Sequence, residues 1–529
     1  MPQPFKNLVL GRVRGAGPAV WLAGLGILAL LIALRWNSFA VPLVRDEGEY
    51  AYAAQLLQRG LHPYEHTFLQ KPPMMVYTYT LANILAPNTF WFPRVLAALS
   101  AALVAGLLGW IARLEFGPGV ALAAMWLTPP MLLSPGLWQF TANTEMFMVL
   151  PLLATVALYV GWRHYGGGAW PWFFAGCLGA TAVWYKYTAL PVLAVLFGVW
   201  SVEEWRAGGR GLRRRWWLGI LGAGAASLII LAPFLMWDGG RRLWECTVVF
   251  NRYYRVSASF GMSGLLIWLE AFWADWWVLF LLPVFLLVRP QPRSWFWMGL
   301  FLASWASTGA SALGQYYVVV MPFWALLTAV AIRELGALAA RGLGWSPAGW
   351  RRALVTVVVV LVCLPDLSWI TCTRQQFAAV KACGGNAFLE SQAVARRVAE
   401  LTAPSDLVYV AGSEPQILCY ANRLSPTRFV IAYPLMIVTP LAEAYQQEAI
   451  RDLERRPPAV IVLAQSPLSW LTQKESPDQF LQYLVKLLAD HYDLVGGWVG
   501  EGQNGRWQEP LPAEDRAQSS LVLFRRKRA

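Results

Sequence analysis

The sequence predicts an α-helical polytopic membrane protein with a small α/β domain at its C-terminal end. Of its 529 residues, 57% are hydrophobic and 14% are charged, whereas an ordinary soluble domain has about 25% charged residues. The chain also contains 30 tryptophans, and amphipathic aromatic rings collect at membrane–water interfaces. Apolar runs recur up to about residue 371, and hydropathy falls beyond it. A water-soluble protein of this length would need more polar surface.

A spanning helix needs about 20 apolar residues, or slightly fewer in a bundle of tilted elements, and on this criterion we expect about eleven spans. The first apolar run has no cleavage site of small residues, so it is predicted to be a retained helix. We expect residues 1–372 to form the transmembrane catalytic domain, with outside loops at 37–90 and 238–263, and residues 373–529 to form an external domain. The predicted spans lie near 17–36, 91–112, 118–134, 144–161, 170–187, 188–202, 216–236, 264–288, 295–311, 315–333 and 353–371.

The basic residues indicate how the chain is oriented, because lysine and arginine collect in cytoplasmic loops. A cytoplasmic N-terminus places all three basic clusters on the cytoplasmic side, and an odd number of spans then places the C-terminal domain in the periplasm or extracellular space. The expected location is the cytoplasmic (inner) membrane. The net charge of +13 reflects these loops and attraction to the lipid bilayer, so no nucleic acid is expected as a partner. The clusters are Lys6, Arg12 and Arg14; Arg206, Arg210 and Arg213 to Arg215; and Arg333, Arg341, Arg351 and Arg352.

The region after residue 373 has the pattern of a soluble α/β domain. Helical stretches near 387–402, 440–455 and 476–490 alternate with short strand-like runs. The predicted strands are Leu407–Val410, Val460–Leu463, Leu494–Val499 and Leu521–Phe524. Cys372 and Cys383 would pair only if this region lies in an oxidising compartment. Buried free thiols are the alternative.

The first outside loop contains the most informative acidic cluster. Asp46 and Glu47 open a helix whose apolar face, formed by Tyr50 and the residues one and two turns later, is expected to lie on the membrane. Asp46 is placed as an N-cap would be, with Glu49 three residues later completing a capping box. The cluster is therefore either a helix start and nothing more, or a site in which a carboxylate takes a proton from an attacking hydroxyl.

Several basic residues on outside segments accompany these carboxylates. Lysine and arginine stabilise a phosphate leaving group through charge-assisted hydrogen bonds. Lys186 is unusual because it lies in an otherwise apolar stretch, where an ionisable group indicates a function unless it snorkels to the interface. The phosphate-binding candidates are Lys71, Arg94, Lys186, Arg241, Arg242, Arg252 and Arg255.

Glu145, at the start of the fourth span, is the second important acid. Its simplest role is favourable charge at a helix N-terminus. Alternatively, Asp46 and Glu145 together hold a divalent cation, and oxygen ligands suit Mg²⁺, Mn²⁺ or Ca²⁺. His62 and His66 would add nitrogen ligands for Zn²⁺.

Separated motifs along the chain resemble one family. Asp46-Glu47 after the first span is followed by Lys71-Pro72-Pro73 and by Phe92-Pro93-Arg94. Further matching pieces are Thr141 to Pro151, Lys186 to Pro191, Gln315-Tyr316-Tyr317, Asp406 to Gly412 and Arg428-Phe429. Together they resemble the GT-C membrane glycosyltransferases, in the bacterial branch related to dolichyl-phosphate-mannose protein mannosyltransferases and the lipid A aminoarabinose transferase. Relatives more often have histidine where this chain has Gln315.

The resemblance implies a polyprenyl-phosphate sugar as donor, inversion at the anomeric carbon, and transfer on the external face. It implies that Asp46 is the catalytic acid/base, supported by Glu47 and Glu145, with Lys71, Arg94 and Lys186 near the donor phosphate. The acceptor stays open among glycolipid, glycan and protein. The candidate substrate-binding residues are Tyr50, His66, Gln315, Tyr316 and Tyr317.

The alternative function is a membrane transporter or flippase for a lipid-linked or anionic solute. That function predicts ionisable residues near the bilayer midplane and paired broken helices related by an internal repeat. In this sequence the notable acids instead cluster toward one predicted face.

Overall fold

The computed structural model describes residues 18–136, 139–166, 168–209, 211–257, 262–291, 293–381, 386–500, 502 and 505–528, without the side chains of 18–22 and 255–257. Within these ranges, eight helices are long and apolar enough to cross a membrane. The protein is therefore a multi-pass membrane protein, as the composition predicts. Eight of the predicted spans coincide with these helices, and the other three coincide with shorter ones. The exact number of crossings stays a prediction.

The membrane-region helices and the helices between them follow the predicted order. They are α1 (Pro18–Trp36), α2 (Arg45–Gln58), α3 (Met74–Leu85), α4 (Phe92–Phe116), α5 (Pro118–Leu133), α6 (Thr144–Tyr165), α7 (Trp170–Tyr185), α8 (Leu190–Arg206), α9 (Leu212–Asp238), α10 (Phe250–Ser257), α11 (Met262–Val288), α12 (Ser294–Ser307), α13 (Met321–Leu343) and α14 (Pro347–Cys363).

Small residues allow some of these helices to approach closely. A Cβ atom built on Gly176 of α7 would collide with the backbone of Gly219 on α9, and one on Gly222 would collide with the backbone of Phe173. Helices in lipid gain stability from such close packing, because the bilayer supplies no hydrophobic force between them. Glycines thus fix the spacing of α7 and α9.

The C-terminal region contains one mixed five-stranded sheet. Its strand order is β1-β2-β5-β3-β4, with β1 and β2 parallel and the other neighbours antiparallel. Four strands match the predicted runs, and the three-residue β4 was not predicted. The strands are β1 (Val408–Ala411), β2 (Val460–Ala464), β3 (Tyr492–Val499), β4 (Arg506–Gln508) and β5 (Ser519–Arg526), and the helices are α15 (Arg374–Lys381), α16 (Ser391–Leu401), α17 (Gln416–Ala421), α18 (Ala442–Arg455) and α19 (Gln479–His491). Cys383 lies outside the described residues, so its predicted pairing with Cys372 is not described.

Helix α2 does not lie on the membrane surface, and that prediction is wrong. Tyr50 and Ala53 on one face are buried against the bundle, whereas Tyr52 and Leu56 on the other face belong to the core of the C-terminal domain. The helix is apolar on both sides because it is packed between two protein layers. The sheet region therefore rests directly on the helix that carries Asp46.

Arg428 ties the outside loops to the sheet region. Its buried guanidinium donates to Glu245 of the second outside loop at 2.7 Å and to Glu448 of α18 at 2.8 and 2.9 Å. Its carbonyl oxygen accepts a hydrogen bond from the amide of Phe68 in the first outside loop. Three separated segments therefore meet at one residue beside the site described below.

Candidate active site

Asp46 lies in the first turn of α2, where its carboxylate is partly exposed. The helix begins at Arg45, so Asp46 is not the N-cap that the sequence pattern predicts. Glu47 Oε2 instead accepts a hydrogen bond from the amide of Val44 at 3.3 Å and satisfies the start of the helix. Within the described part of the chain, no hydrogen bond or ion pair holds the Asp46 carboxylate, which leaves it available to a substrate.

The neighbouring Glu47 is in the opposite situation. Its side chain is buried and forms an ion pair with Arg94, whose Nε lies 2.9 Å from Glu47 Oε1. Glu47 Oε1 also accepts a hydrogen bond from the amide of Ala142 at 2.8 Å. Arg94 directs its remaining N–H groups to Glu47 Oε2 and to the carbonyl oxygens of Ser38, Val41 and Pro42. All donors of Arg94 are therefore occupied by protein, so its guanidinium does not face a donor phosphate.

Lys71 approaches Asp46 from the first outside loop, and its backbone is held firmly. The hydroxyl of Tyr64 donates to the Lys71 carbonyl at 2.7 Å, and Asn251 Nδ2 donates to the Gln70 carbonyl at 2.9 Å. Burial alone would lower the pKa of Lys71, but Tyr316, Asp46 and Glu145 raise it above its usual value. Its ammonium group makes no hydrogen bond within the described residues and stays charged, so it is able to take an anion.

Glu145 and Lys186 form a second, closed pair on the same side. Glu145 opens α6 and is buried, and Lys186 directly follows the end of α7. The Lys186 ammonium donates to Glu145 Oε1 and also lies over the ring of Tyr316. Because Glu145 also acts electrostatically on Lys71, this pair lies near the free lysine.

Glu49, one turn after Asp46, was not predicted as a site residue because its spacing indicated a capping box. Glu49 is 5% exposed, and its Oε1 has no hydrogen-bond partner within the described residues. Burial raises the pKa of Glu49 to about 8, and Asp46 adds to the rise while Lys71 opposes it. The group is therefore a neutral carboxylic acid at pH 7.

Two tyrosines from other segments face the same charges and were also missed. Burial raises the pKa of Tyr254 on α10, and Tyr316, Asp46 and Glu49 raise it further while Lys71 lowers it. Burial likewise raises the pKa of Tyr433 in the C-terminal region, where Asp46 and Tyr254 again contribute. The site thus gathers α2, the first and second outside loops, and the C-terminal domain. No local motif marks either tyrosine.

Solved structures share this arrangement of helices and sheet. ArnT from Cupriavidus metallidurans bound to undecaprenyl phosphate has a TM-score of 0.62 and 16% identity, over 96% of this chain and 98% of ArnT. The apo form of ArnT has a TM-score of 0.55 and 16% identity, over 95% of this chain and 98% of ArnT. An apo oligosaccharyltransferase from Archaeoglobus fulgidus has a TM-score of 0.50 and 11% identity, over 94% of this chain and 74% of the oligosaccharyltransferase. Both proteins are GT-C enzymes. The chain has the GT-C fold. Neither a protein-family model nor a curated protein sequence matches it.

Within this GT-C fold, Tyr317 and His66 lie away from the charged cluster, whereas Asp46, Glu49 and Glu145 act electrostatically on Tyr50. The hydroxyl of Tyr50 is buried 3.3 Å from Thr144 Oγ1, and the hydroxyl of Tyr317 donates to the Ser311 carbonyl at 3.0 Å inside an aromatic core. Burial lowers the pKa of His66, whose charged neighbours are Glu65 and Arg456 rather than Asp46. His66 and Tyr317 are placed as parts of the scaffold, whereas Tyr50 lies beside the site acids.

The other predicted residues are more exposed or not described. Gln315 is partly exposed next to Tyr316, and Arg252 is exposed on α10. The side chain of Arg255 lies outside the described residues. Of the predicted substrate-binding set, Tyr316 contacts the ammonium group of Lys186 directly.

The predicted divalent cation does not fit this charge arrangement well. Lys186 already pairs with Glu145, and Lys71 acts on both Glu145 and Asp46. Two ammonium groups thus already balance the charge of the proposed ligands. Among the described residues, no group of three or more histidines, cysteines, aspartates and glutamates is placed to hold a metal ion.

Proposed function

We propose that this chain is a membrane glycosyltransferase that moves a sugar from a polyprenyl-phosphate donor to an acceptor at the outer face of the cytoplasmic membrane. The GT-C fold supports the enzyme class, and ArnT with the same fold was crystallised with undecaprenyl phosphate. The observation that carries the proposal is the free Asp46 carboxylate, which interacts electrostatically with the charged ammonium group of Lys71. The proposed acceptor class is a glycolipid, a glycan or a protein.

The proposed chemistry is a direct displacement with inversion. The acceptor hydroxyl attacks the anomeric carbon, the bond from that carbon to the phosphate oxygen breaks, and the polyprenyl phosphate leaves with the bonding electrons. Asp46 takes the proton of the attacking hydroxyl, and Lys71 stabilises the charge that develops on the leaving phosphate. Glu47 and Arg94 act indirectly, because their closed pair fixes the start of α2.

The test compares wild type with Asp46→Asn in a transfer assay that uses purified protein and radiolabelled polyprenyl-phosphate sugars. We expect the variant to lose about 10²- to 10⁴-fold in kcat, the range that general acid–base catalysis contributes. Asp493→Asn, on the exposed side of β3, is the matched control and should retain wild-type turnover. Equal turnover of wild type and Asp46→Asn would contradict the role of Asp46.

Lys71→Ala should weaken donor binding, because it removes the free cation next to Asp46. Lys71→Arg keeps the charge and should retain more affinity than the alanine variant. Unchanged donor affinity in Lys71→Ala would remove this residue from the phosphate site. Folded wild-type protein that transfers no sugar from a broad donor panel, but moves lipid across vesicles, would favour the transporter function.

A further inference from the structure

The helix that carries Asp46 is in direct contact with a loop of the C-terminal domain. A Cβ atom built on Gly48 would lie 2.7 Å from the backbone nitrogen of Gln416, the first residue of α17. Neighbouring polar contacts continue along the same face, since Gln55 Nε2 donates to the Cys419 carbonyl at 3.1 Å. No water layer separates α2 from this domain at Gly48.

Arg45, the residue before Asp46, makes the strongest of these contacts. Its Nε donates to the Ser413 carbonyl at 2.7 Å, and its Nη2 donates to Glu414 Oε1 and Asn386 Oδ1, both at 3.0 Å. The guanidinium also lies 5.4 Å from the ring centre of Tyr433. Arg45 is 14% exposed in its side chain and Glu414 is fully buried, so solvent screens this ion pair only weakly.

The loop that receives Arg45 is itself rigid. Ser413 accepts a hydrogen bond from the amide of Ala432 at 2.9 Å, and its own amide donates to Ser469 Oγ at 2.6 Å. The second carboxylate oxygen of Glu414 accepts a hydrogen bond from Gln416 at 2.6 Å. Gly412 has φ +143°, and a side chain there would collide with Ser469 and Ala464. The Ser413 and Glu414 acceptors of Arg45 are therefore held in place by contacts within the C-terminal domain itself.

The position of this loop is also informative. It follows β1, which pairs in parallel with β2, and the carboxyl ends of parallel strands are where open α/β sheets bind their ligands. In this chain that position is filled by Arg45. A buried ion pair adds little net stability over apolar packing, but it specifies geometry.

We propose that Arg45 is a positioning residue through which the C-terminal domain sets the orientation of the Asp46 carboxylate. The inference rests on the proposed function of Asp46. The guanidinium holds the first turn of α2 against the fixed loop at Ser413 and Glu414, and the Asp46 carboxylate is carried by the same turn. Loss of the pair lets this turn rotate or fray, which misaligns Asp46 without removing any group that binds the donor.

The test measures kcat and donor Kd for Arg45→Gln, Glu414→Gln and the double variant. Misplacement of a catalytic group by about 1 Å costs about 10²-fold, so each single variant should lose up to about that factor in kcat. Donor Kd should change by less than about threefold, because neither Arg45 nor Glu414 is placed to bind the donor. The double variant should be no slower than the worse single variant, because both remove one interaction. Arg45→Lys keeps the charge and should recover part of the lost kcat.

Arg59→Gln is the matched control. Arg59 binds the Asn422 carbonyl at 3.3 Å, so it also joins α2 to the C-terminal domain, but from the exposed end of the helix that is remote from Asp46. The kcat of Arg59→Gln should equal that of wild type. Equal losses in Arg59→Gln and Arg45→Gln, or losses that follow the melting temperature alone, would overturn the proposal in favour of general stabilisation.

A second readout does not depend on activity. Amide hydrogen exchange over residues 45–50 should speed up in Glu414→Gln and stay unchanged in Arg59→Gln. Unchanged exchange in Glu414→Gln overturns the positioning role even if Asp46 is catalytic. Faster exchange in Glu414→Gln, together with full activity in Asp46→Asn, would have a different meaning. The C-terminal domain would then hold the first turn of α2, but the proposed function of Asp46 would be wrong.

Discussion

Asp46 and Glu47 are adjacent acids with opposite environments. Asp46 is partly exposed and unpaired within the described chain, whereas Glu47 is buried against Arg94 and two backbone amides. A carboxylate that exchanges a proton with substrate must be accessible and must not be held by protein hydrogen bonds. Of these two acids, only Asp46 meets both conditions. The Asp-Glu pair therefore divides into a free carboxylate, which is the proposed reacting group, and a structural one.

Glu47→Gln should destabilise the fold more than it alters chemistry. The substitution leaves the Arg94 guanidinium buried without its counter-charge, and breaking a buried pair costs about 3 to 5 kcal/mol. We expect a clearly lower melting temperature than that of Asp46→Asn, which should unfold close to wild type. Thermal unfolding of both variants in the same detergent checks this, and equal melting temperatures would contradict it.

Glu49 should make donor binding sensitive to pH. Its pKa is raised to about 8, so it is neutral at pH 7 and gains a negative charge beside Asp46 as the pH rises through 8. The donor phosphate is an anion, so its affinity should fall over the same range. Lys71 stays protonated there because its own pKa is raised. The native state also binds this proton more tightly than the unfolded chain, so the stability due to Glu49 is lost progressively as the pH rises from about 4.5 to about 8.

Glu49→Gln removes this titration and keeps a neutral hydrogen-bonding side chain. Donor Kd measured on both sides of pH 8 should therefore rise with pH in wild type and stay flat in the variant. A wild-type Kd that does not change, or an identical rise in both proteins, would show that Glu49 is not the responsible group.

At the scale of elements, hydropathy predicted the helices well because a bilayer requires long apolar segments whatever their partners. It did not predict what covers an amphipathic helix. The apolar face of α2 fits lipid and protein equally well, and the sequence does not show that the C-terminal domain returns to cover its other side. Strand β4 was missed because three residues carry too little pattern.

The site was predictable where the chemistry is local and not where it depends on distant pairing. Asp46 and Lys71 follow from short motifs. The ion pair between Arg94 and Glu47 joins residues 47 positions apart. It depends on tertiary contacts that cannot be read from the sequence pattern. Glu49 was assigned to a capping box, but the helix begins two residues earlier than the pattern indicates and Glu47 takes that role.

Gly48→Ala tests the contact between α2 and α17. The added methyl group would meet the backbone of Gln416, which cannot move without shifting α17, and overpacking of this kind costs about 1 to 3 kcal/mol. We expect a lower melting temperature and lower kcat. Gly106→Ala, in α4 with no atom within 4 Å of the added methyl group, is the matched control and should be neutral. Wild-type values in Gly48→Ala would show that the helix has room to shift.

At the scale of the whole molecule, the two ends of the helix bundle carry different charge arrangements. The Asp46 end holds the sheet region and the acids that begin α2 and α6. The opposite end holds Arg163 at the end of α6, Arg213 to Arg215 at the start of α9, and Arg341 near the end of α13. The arginines at this opposite end match the excess of basic residues expected at a cytoplasmic face. They support the proposed orientation, in which the Asp46 site and the C-terminal domain lie outside.

Cysteine labelling tests that orientation. In a background with all six cysteines replaced by alanine, Lys486→Cys places a thiol on an exposed position of α19, and Arg341→Cys places one at the opposite end of the bundle. A membrane-impermeant maleimide added to spheroplasts should label Lys486→Cys at once and Arg341→Cys only after permeabilisation, because the reagent cannot cross the bilayer. A membrane-permeant maleimide should label both variants in intact spheroplasts, which controls for thiol reactivity. The reverse pattern would place Asp46 and Lys71 in the cytoplasm, where transfer from an externally presented lipid-linked donor is impossible, and would contradict the proposed function at its outer face.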